Sequence, residues 1–482
     1  MSETSLKDKA AKGFLWAAVN NGATQLVGAL FGLLLSRILD TGDYGIINMI
    51  LVFSAIATAL QDSGFVIALI NRKEATHRDY NSVFWFNIGV SALIYVLLFL
   101  CAPLIAAFYD EPILTRLSRY FFLCFFIASF SIVPRSILLK QLKQKELAIM
   151  GLVSLIISNT IGLTMALCGM AFWSLATQTI TFNLCISILS WHFSGWRPSL
   201  KISTQPVKEM FGFSSKMLVT YIFNNINNNI FAFVLGKIYT KSEVGIYSQA
   251  NKWNLMGANT IVGMVQGVAQ PTFVQVINDR EQLCRAFSKM LRLTCFIAFP
   301  AMFGMALIAR EFIIVAVTEK WIESARLMQV LCIGGAFMPV ATLYNNMILS
   351  KGKSNIYMWN VIAQGCTILA TILMVHHLGG NIRDMVTAYV SIVILWTAIW
   401  HYFVSREIHF STLQAFRDIM PFMLIAGTTM VATYFITLPI ENLYLLLASR
   451  IIIAAVIYLS ALWILGANIL KECLSYLIKK KK

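Results

Sequence analysis

Charge is scarce in this sequence. Only 12% of its 482 residues are Asp, Glu, Lys or Arg, where an ordinary soluble protein carries about a quarter. That shortage excludes one large soluble domain, whose surface would have to be polar. Long polar connections are missing as well, so no loop has the length of a folded domain. No Gly-rich phosphate loop ending in Lys and Ser or Thr is present, no cluster at metal-ligand spacing and no Ser/His/Asp arrangement. Neither ATP hydrolysis, metal chemistry nor any other enzymatic activity is therefore expected of this chain, and no cofactor. The nine cysteines fall mostly inside apolar runs, where they act as small hydrophobes and give no disulfide framework.

What the chain does have is apolar length. Hydrophobic residues make up 58% of it and the mean hydropathy is +0.72. Runs of about twenty residues, each long enough to cross the roughly 30 Å bilayer core as a helix, recur near 13–37, 44–70, 81–108, 117–140, 148–169, 171–193, 210–236, 245–275, 290–316, 325–349, 356–376, 385–404, 417–437 and 443–470. The runs lack period-two alternation, which argues against a membrane barrel. The expected fold is an all-α integral membrane protein of about 14 transmembrane helices, counting one per run. The first run is longer than a leader core and is read as a retained helix.

The net charge of +16 would suit nucleic acid, but its distribution points elsewhere. With the N-terminus in the cytoplasm, Lys and Arg concentrate in every second segment: Lys7 to Lys12, Arg72 to Arg78, Lys140 to Lys145, Arg197 to Lys208, Arg280 to Arg292, Lys351 and Lys353, Arg406 and Arg417, and the tail Lys479 to Lys482. Outer segments hold fewer, among them Arg116, Arg119, Arg310 and Arg450. This is the positive-inside pattern. It predicts both termini in the cytoplasm, anionic membrane lipids as partners of the basic tail, and no nucleic acid.

The sequence also echoes itself. Arg37-Ile38, Asp43 and Gly45-Ile46 return as Lys237-Ile238, Glu243 and Gly245-Ile246, each 200 positions later, and Pro134 has a counterpart in Pro339. The expected organisation is a six-helix bundle over 1–193, a cytoplasmic linker over 194–209, a second six-helix bundle over 210–404, and helices thirteen and fourteen with a basic tail over 405–482. Six helices return the chain to the same side. The bundles would then be parallel repeats related by a pseudo-two-fold axis near the membrane normal. Prolines 134, 271, 300 and 339 are candidate kinks.

Ionisable side chains inside hydrocarbon are costly and should face a wet cavity or a partner. Asp62, Arg135 and Lys216 lie at similar depth below the cytoplasmic boundary, Lys252 lies inside the outer one, and Arg37 marks an outer helix end. Asp62 is the one acidic residue placed well inside a span. A cavity so lined would be net positive and suited to a pyrophosphate, for which Arg offers a fork and Lys a point charge. The competing reading is that Arg135 and Lys216 snorkel to headgroups and that Asp62 pairs with one of them. Amides are dense on span seven, at Asn224, Asn225, Asn227, Asn228 and Asn229, and continue as Asn21 and Gln25 on span one. They could hydrogen-bond sugar hydroxyls, or they could join helices.

Taken in order, Lys12-Gly13-x-x-Trp16, Gln25, Arg37-x-Leu39-x-x-x-Asp43-Tyr44-Gly45, Asp62-x-Gly64-Phe65, Phe84-Trp85-Phe86-Asn87 and Gly245-Ile246-Tyr247-Ser248-Gln249-Ala250 resemble the polysaccharide flippase family. That family lies within the multidrug, oligosaccharidyl-lipid and polysaccharide exporter superfamily. The resemblance implies two facing six-helix bundles around a cationic cavity. It also implies an undecaprenyl-pyrophosphate-linked oligosaccharide as substrate, alternating access, and a bacterial inner membrane location. Many relatives carry an acidic residue in the polar stretch of helix seven, whereas 224–235 here is uncharged. Coupling to sodium or protons through that helix is thereby in doubt, which leaves Asp62 as the gate or coupling candidate. Other readings are a drug-exporting cation antiporter of the same superfamily, a membrane enzyme of glycan assembly, or a non-transporting partner of other glycan-assembly proteins.

Overall fold

The computed structural model describes residues 22–62, 75–141, 143–200, 203–208 and 231–465, together with Leu69, Asn225 and Asn229. Every regular element among them is helical. Ten continuous helical segments are long and apolar enough to cross a bilayer, and they fall on predicted spans three to six and nine to fourteen. In chain order they comprise α3 (His77–Tyr109), α4 and α5 (Ile113–Phe121, Leu123–Lys140), α6 (Gln144–Leu167), α7 (Ala171–Ser194) and α9 (Arg280–Phe312). They continue with α10 and α11 (Ile322–Gly335, Met338–Ser350), α12 (Ser354–His377), α13 (Ile382–Ile408), α14 (Thr412–Thr437) and α15 (Leu443–Ile464). Helices α1 (Gly22–Ile38), α2 (Thr41–Asp62) and α8 (Lys241–Gln275) fall on spans one, two and eight. Most of span seven lies outside the described residues, so fourteen stays the sequence-based number.

Two compact units divide the chain, Met1–Gly245 and Ile246–Lys482. In the first, α7 packs against α6 and α5, and α3 against α5. Phe84 of α3 anchors an aromatic cluster, its ring lying edge-on to Trp85, Phe130, Trp191 and Trp196 at centroid separations of 5.5, 6.3, 5.8 and 5.3 Å. Helix α7 stops at Gly195, whose φ of 63° a side-chain-bearing residue adopts only with strain. The segment that follows is strapped back onto α3. The Asn81 amide oxygen accepts the Ser199 N–H at 2.8 Å, the Trp85 indole donates to the Ser199 carbonyl at 2.8 Å, and Arg78 donates to the Ser203 hydroxyl at 2.7 Å.

In the second unit, α9 is the central post, packed by α10, α11, α14 and α15. Asp279 caps its start by accepting the Gln282 N–H at 3.0 Å. Around α9 the side chains of Phe287, Phe299, Trp321, Tyr344 and Phe410 are fully buried.

The candidate prolines fall at different places in their helices. Pro134 sits inside an unbroken α5, and the interruption of that span falls earlier, at Phe122 between α4 and α5. Pro300 likewise lies within continuous α9. Span ten is interrupted at Ala336–Phe337, and Pro339 occupies the first turn of α11. There a missing N–H breaks no intrahelical bond. The ring of Pro271 lies outside the description. By contrast, the 200-residue echo is a local structural repeat. The Leu39 and Tyr239 N–H groups bond back to Leu35 and Leu235, and those of Tyr44 and Val244 to Asp40 and Thr240. The Asp43 carboxylate accepts the Asp40 N–H at 3.0 Å, as Glu243 accepts that of Thr240 at 3.0 Å.

Candidate functional site

The described residues place part of the set that the sequence singles out. Gln25 and Arg37 are exposed on α1, and Arg135 is exposed on α5 directly after buried Pro134. Lys252 is half-buried on α8, its ammonium 5.4 Å from the centre of the Trp253 ring, a cation–π geometry. The Asn225 carbonyl accepts the Asn229 side-chain amide at 2.8 Å, the i to i+4 bond by which an amide satisfies its own helix. Asn21, Lys216, Asn224 and Asn228 lie outside the described residues. Asp62 is the last residue of α2 and its side chain lies outside the description. Its neighbour Gln61 is buried and donates to the Ser91 hydroxyl at 3.0 Å and to the Phe125 carbonyl at 2.6 Å. That amide bridges α2 and α3 to a carbonyl near the start of α5.

Two buried acidic sites in the second unit correct the reading of Asp62 as the one acidic residue well inside a span. Glu311, near the end of α9, is 2% exposed, and Asp418 in α14 is 7% exposed. Arg450, which charge counting assigned to an outer loop, instead lies within α15 at 6% exposure. The loop ends earlier because Asn442 caps α15, accepting the Tyr444 and Leu445 N–H groups at 3.0 and 3.1 Å. The Arg450 guanidinium donates to Glu311 at 2.6 Å, to the Leu307 carbonyl at 3.2 Å and to the Thr437 hydroxyl at 3.3 Å. Its charge also stands 5.3 Å from the Tyr434 ring. Asp418 accepts the Ser288 hydroxyl at 2.5 Å and forms an ion pair with Arg292 at 3.4 Å. Packing of α14 and α15 against α9, helices distant in sequence, creates both sites, not any motif. Sequence position held a usable signal: Glu311, Asp418 and Arg450 all fall within apolar runs, the ninth, thirteenth and fourteenth.

Fully buried charges among the described residues are thus Asp79, Glu311, Asp418 and Arg450. Asp79 is committed to a capping box, accepting the Thr76 N–H at 2.8 Å and the Thr76 hydroxyl at 3.0 Å. Every buried carboxylate of the set is therefore engaged by its own protein. The second unit also carries a groove of about 550 Å³ along α9 and α15, walled by Phe296, Pro300, Gly304, Met430, Ala454 and Tyr458. Its walls suit hydrocarbon and offer almost nothing to a sugar.

Comparison with known proteins agrees with this architecture. The chain is 26% identical to the lipopolysaccharide biosynthesis protein WzxC of Escherichia coli K12 over 360 residues, covering 73% of this chain and 72% of that one. It is 24% identical to the teichuronic acid biosynthesis protein TuaB of Bacillus subtilis 168, covering 89% of each. Its fold matches the lipid II flippase MurJ in an inward closed conformation with a TM-score of 0.77 at 14% identity, covering 95% of this chain and 99% of the other. The family model described as polysaccharide biosynthesis protein matches residues 34–326, more than half of the chain and most of the segments that carry the sequence resemblance. The chain belongs to the polysaccharide biosynthesis protein family.

Proposed function

We propose that this chain is a flippase that carries an undecaprenyl-pyrophosphate-linked oligosaccharide from the cytoplasmic to the outer leaflet of a bacterial inner membrane, by alternating access, for surface polysaccharide assembly. The observation that carries the reading is the family match over residues 34–326. Relatives named for lipopolysaccharide and teichuronic acid biosynthesis, and the fold likeness to a lipid II flippase, support it. The common chemistry is a saccharide made on one side of a membrane and needed on the other.

Charge accounting supports an anionic cargo. An exporter of organic cations needs a carboxylate that its substrate can reach, and the buried carboxylates among the described residues are committed to Thr76, Arg450 and the Ser288–Arg292 pair. On this reading Lys216, Arg135, Lys252 and Arg37 take the pyrophosphate in turn. Asn21, Gln25, Asn224, Asn225 and Asn228 meet sugar hydroxyls, which exchange readily between water and amide partners. Asp62 holds one of the cations until the pyrophosphate replaces it, which gives the substrate the differential contacts that a ligand-driven change requires. The chain performs no catalysis and holds no cofactor. Other glycan-assembly proteins are partners by function. Deleting the gene tests the proposal: lipid-linked oligosaccharide accumulates on the cytoplasmic leaflet, and plasmid-borne protein clears it. A deletion strain with normal surface glycan and no accumulation overturns the reading.

A further inference from the structure

We propose that the first turns of α2 and α8 form the outer gate of this transporter, and that Gly45 and Gly245 are the residues that let it shut. The inference rests on the flippase reading and on the charge distribution that puts this end of the helices outside. All the residues involved belong to the first compact unit.

The two helix starts cross in backbone contact. A methyl group on Gly45 would coincide with the Lys241 carbonyl oxygen, and one on Gly245 would coincide with the Thr41 carbonyl oxygen, with the Gly45 nitrogen 3.0 Å away. Each glycine therefore receives the carbonyl of the opposite first turn, at the same position in the 200-residue repeat. No side-chain-bearing residue can take either place without separating the helices. Between them the Thr41 and Ser242 hydroxyls are 2.7 Å apart. Around this crossing, Lys237 donates to the Phe108 carbonyl at 2.6 Å and to Asp110 at 3.2 Å, and Lys241 pairs with Glu111 at 3.1 Å. Gly236 adds a third close approach, where a methyl group would lie 2.7 Å from the Tyr109 ring.

The chemistry of these contacts is that of a clasp more than of a core. The ion pairs are exposed or half-exposed, where such pairs are individually weak and screened by salt. Cα–H···O contacts at glycine and a single hydroxyl bond are also weak one by one. At the crossing itself small residues and solvated charges stand in place of apolar interdigitation, which resumes further along α2, where Phe53 meets Tyr109 and Phe233 edge-on at 6.1 Å each. Helix starts held this way can part and rejoin by breaking contacts that are each weak. The competing account is a fixed helix crossing with no part in transport.

A cross-link separates the two accounts. In the full chain with its native cysteines replaced, Thr41→Cys and Ser242→Cys stand where the hydroxyls nearly touch, within disulfide reach. Oxidation should form the bond, lower glycan export at least tenfold, and dithiothreitol should restore it. Cross-linked protein exporting at the rate of its reduced form overturns the gate. A second measurement needs no glycan: Asn48→Cys, one turn further along α2, is labelled from outside with a membrane-impermeant maleimide. Gly45→Ala or Gly245→Ala should raise that labelling severalfold by wedging the crossing apart. Gly42→Ala, whose methyl group would make only ordinary contact with Lys241 at 3.8 Å, should not. Unchanged labelling in both glycine variants counts against the proposal, and if either variant fails to reach the membrane, the cross-link decides. If the cross-link closes the label's access while gene deletion causes no lipid-linked glycan to accumulate, the flippase reading fails and the gate stands.

Discussion

Among single residues, Lys216 is the position to which the proposed function assigns most. Its place on span seven is a sequence expectation, and its charge is what a pyrophosphate would need. Lys216→Ala should cut glycan export by at least tenfold with normal protein in the membrane. Lys216→Arg should retain part of it, because the charge survives while a compact ammonium becomes a planar fork. Glycan export assays in a deletion strain check both, and full export by the alanine variant removes Lys216 from the site. Asp62→Asn tests the other half of the exchange. Losing the carboxylate should weaken the state closed to the cytoplasm and raise maleimide labelling of inner-facing cysteines, while pyrophosphate binding persists. Normal export with unchanged labelling would show that Asp62 neither gates nor locks. Glu311 and Asp418 show why residue-scale reading is incomplete. Cost in hydrocarbon marks a buried acid as meaningful, but only neighbouring helices reveal that Arg450 and Arg292 already answer those charges.

At the scale of elements, the Glu311–Arg450 pair ties α15 to α9, and Thr437 at the end of α14 joins the same guanidinium. Removing one partner leaves a buried charge alone, at a cost of about 3–5 kcal/mol. Glu311→Ala or Arg450→Ala should therefore lower the thermal unfolding temperature of the detergent-solubilised protein markedly. Replacing both with Glu311→Leu and Arg450→Met should recover most of that loss, because the desolvation cost disappears together with the attraction. A double variant as unstable as the sum of the singles would mean that the pair is not the tie. The strap after α7 is the other element-scale device. Asn81, Trp85 and Arg78 on α3 hold it by hydrogen bonds to Ser199 and Ser203. Apolar periodicity announces α3, whereas the strap is invisible to it, since bonds to backbone atoms leave no pattern in hydropathy.

For the whole molecule, the prediction is topological. If alternating Lys and Arg content sets orientation, cysteines placed at Arg72 and Lys351 should react with membrane-impermeant maleimide only after the membrane is opened. Labelling of one but not the other in intact cells would refute the assignment of sides. Sequence by itself determined that this chain lives in a bilayer, because 58% hydrophobic residues in runs of helical length leave no other solvent for them. It determined ten spans that the structure repeats, nine of them within about six residues at either end and the ninth beginning ten residues earlier, at Arg280, and, through ordered motifs from Arg37 to Ala250, the family. It also disclosed the 200-residue echo. Tertiary structure decided which charges pair, because Arg450 and Glu311 stand 139 positions apart and meet only when α15 packs on α9. It decided where spans four and ten are interrupted, at Phe122 and at Ala336–Phe337; at Pro339 the N–H lost in a first turn breaks no bond. It also gave the echo its meaning. Two glycines 200 residues apart carry no meaning in a sequence, and only folding brings Gly45 against the Lys241 carbonyl and Gly245 against that of Thr41, where the absence of a side chain becomes a physical requirement.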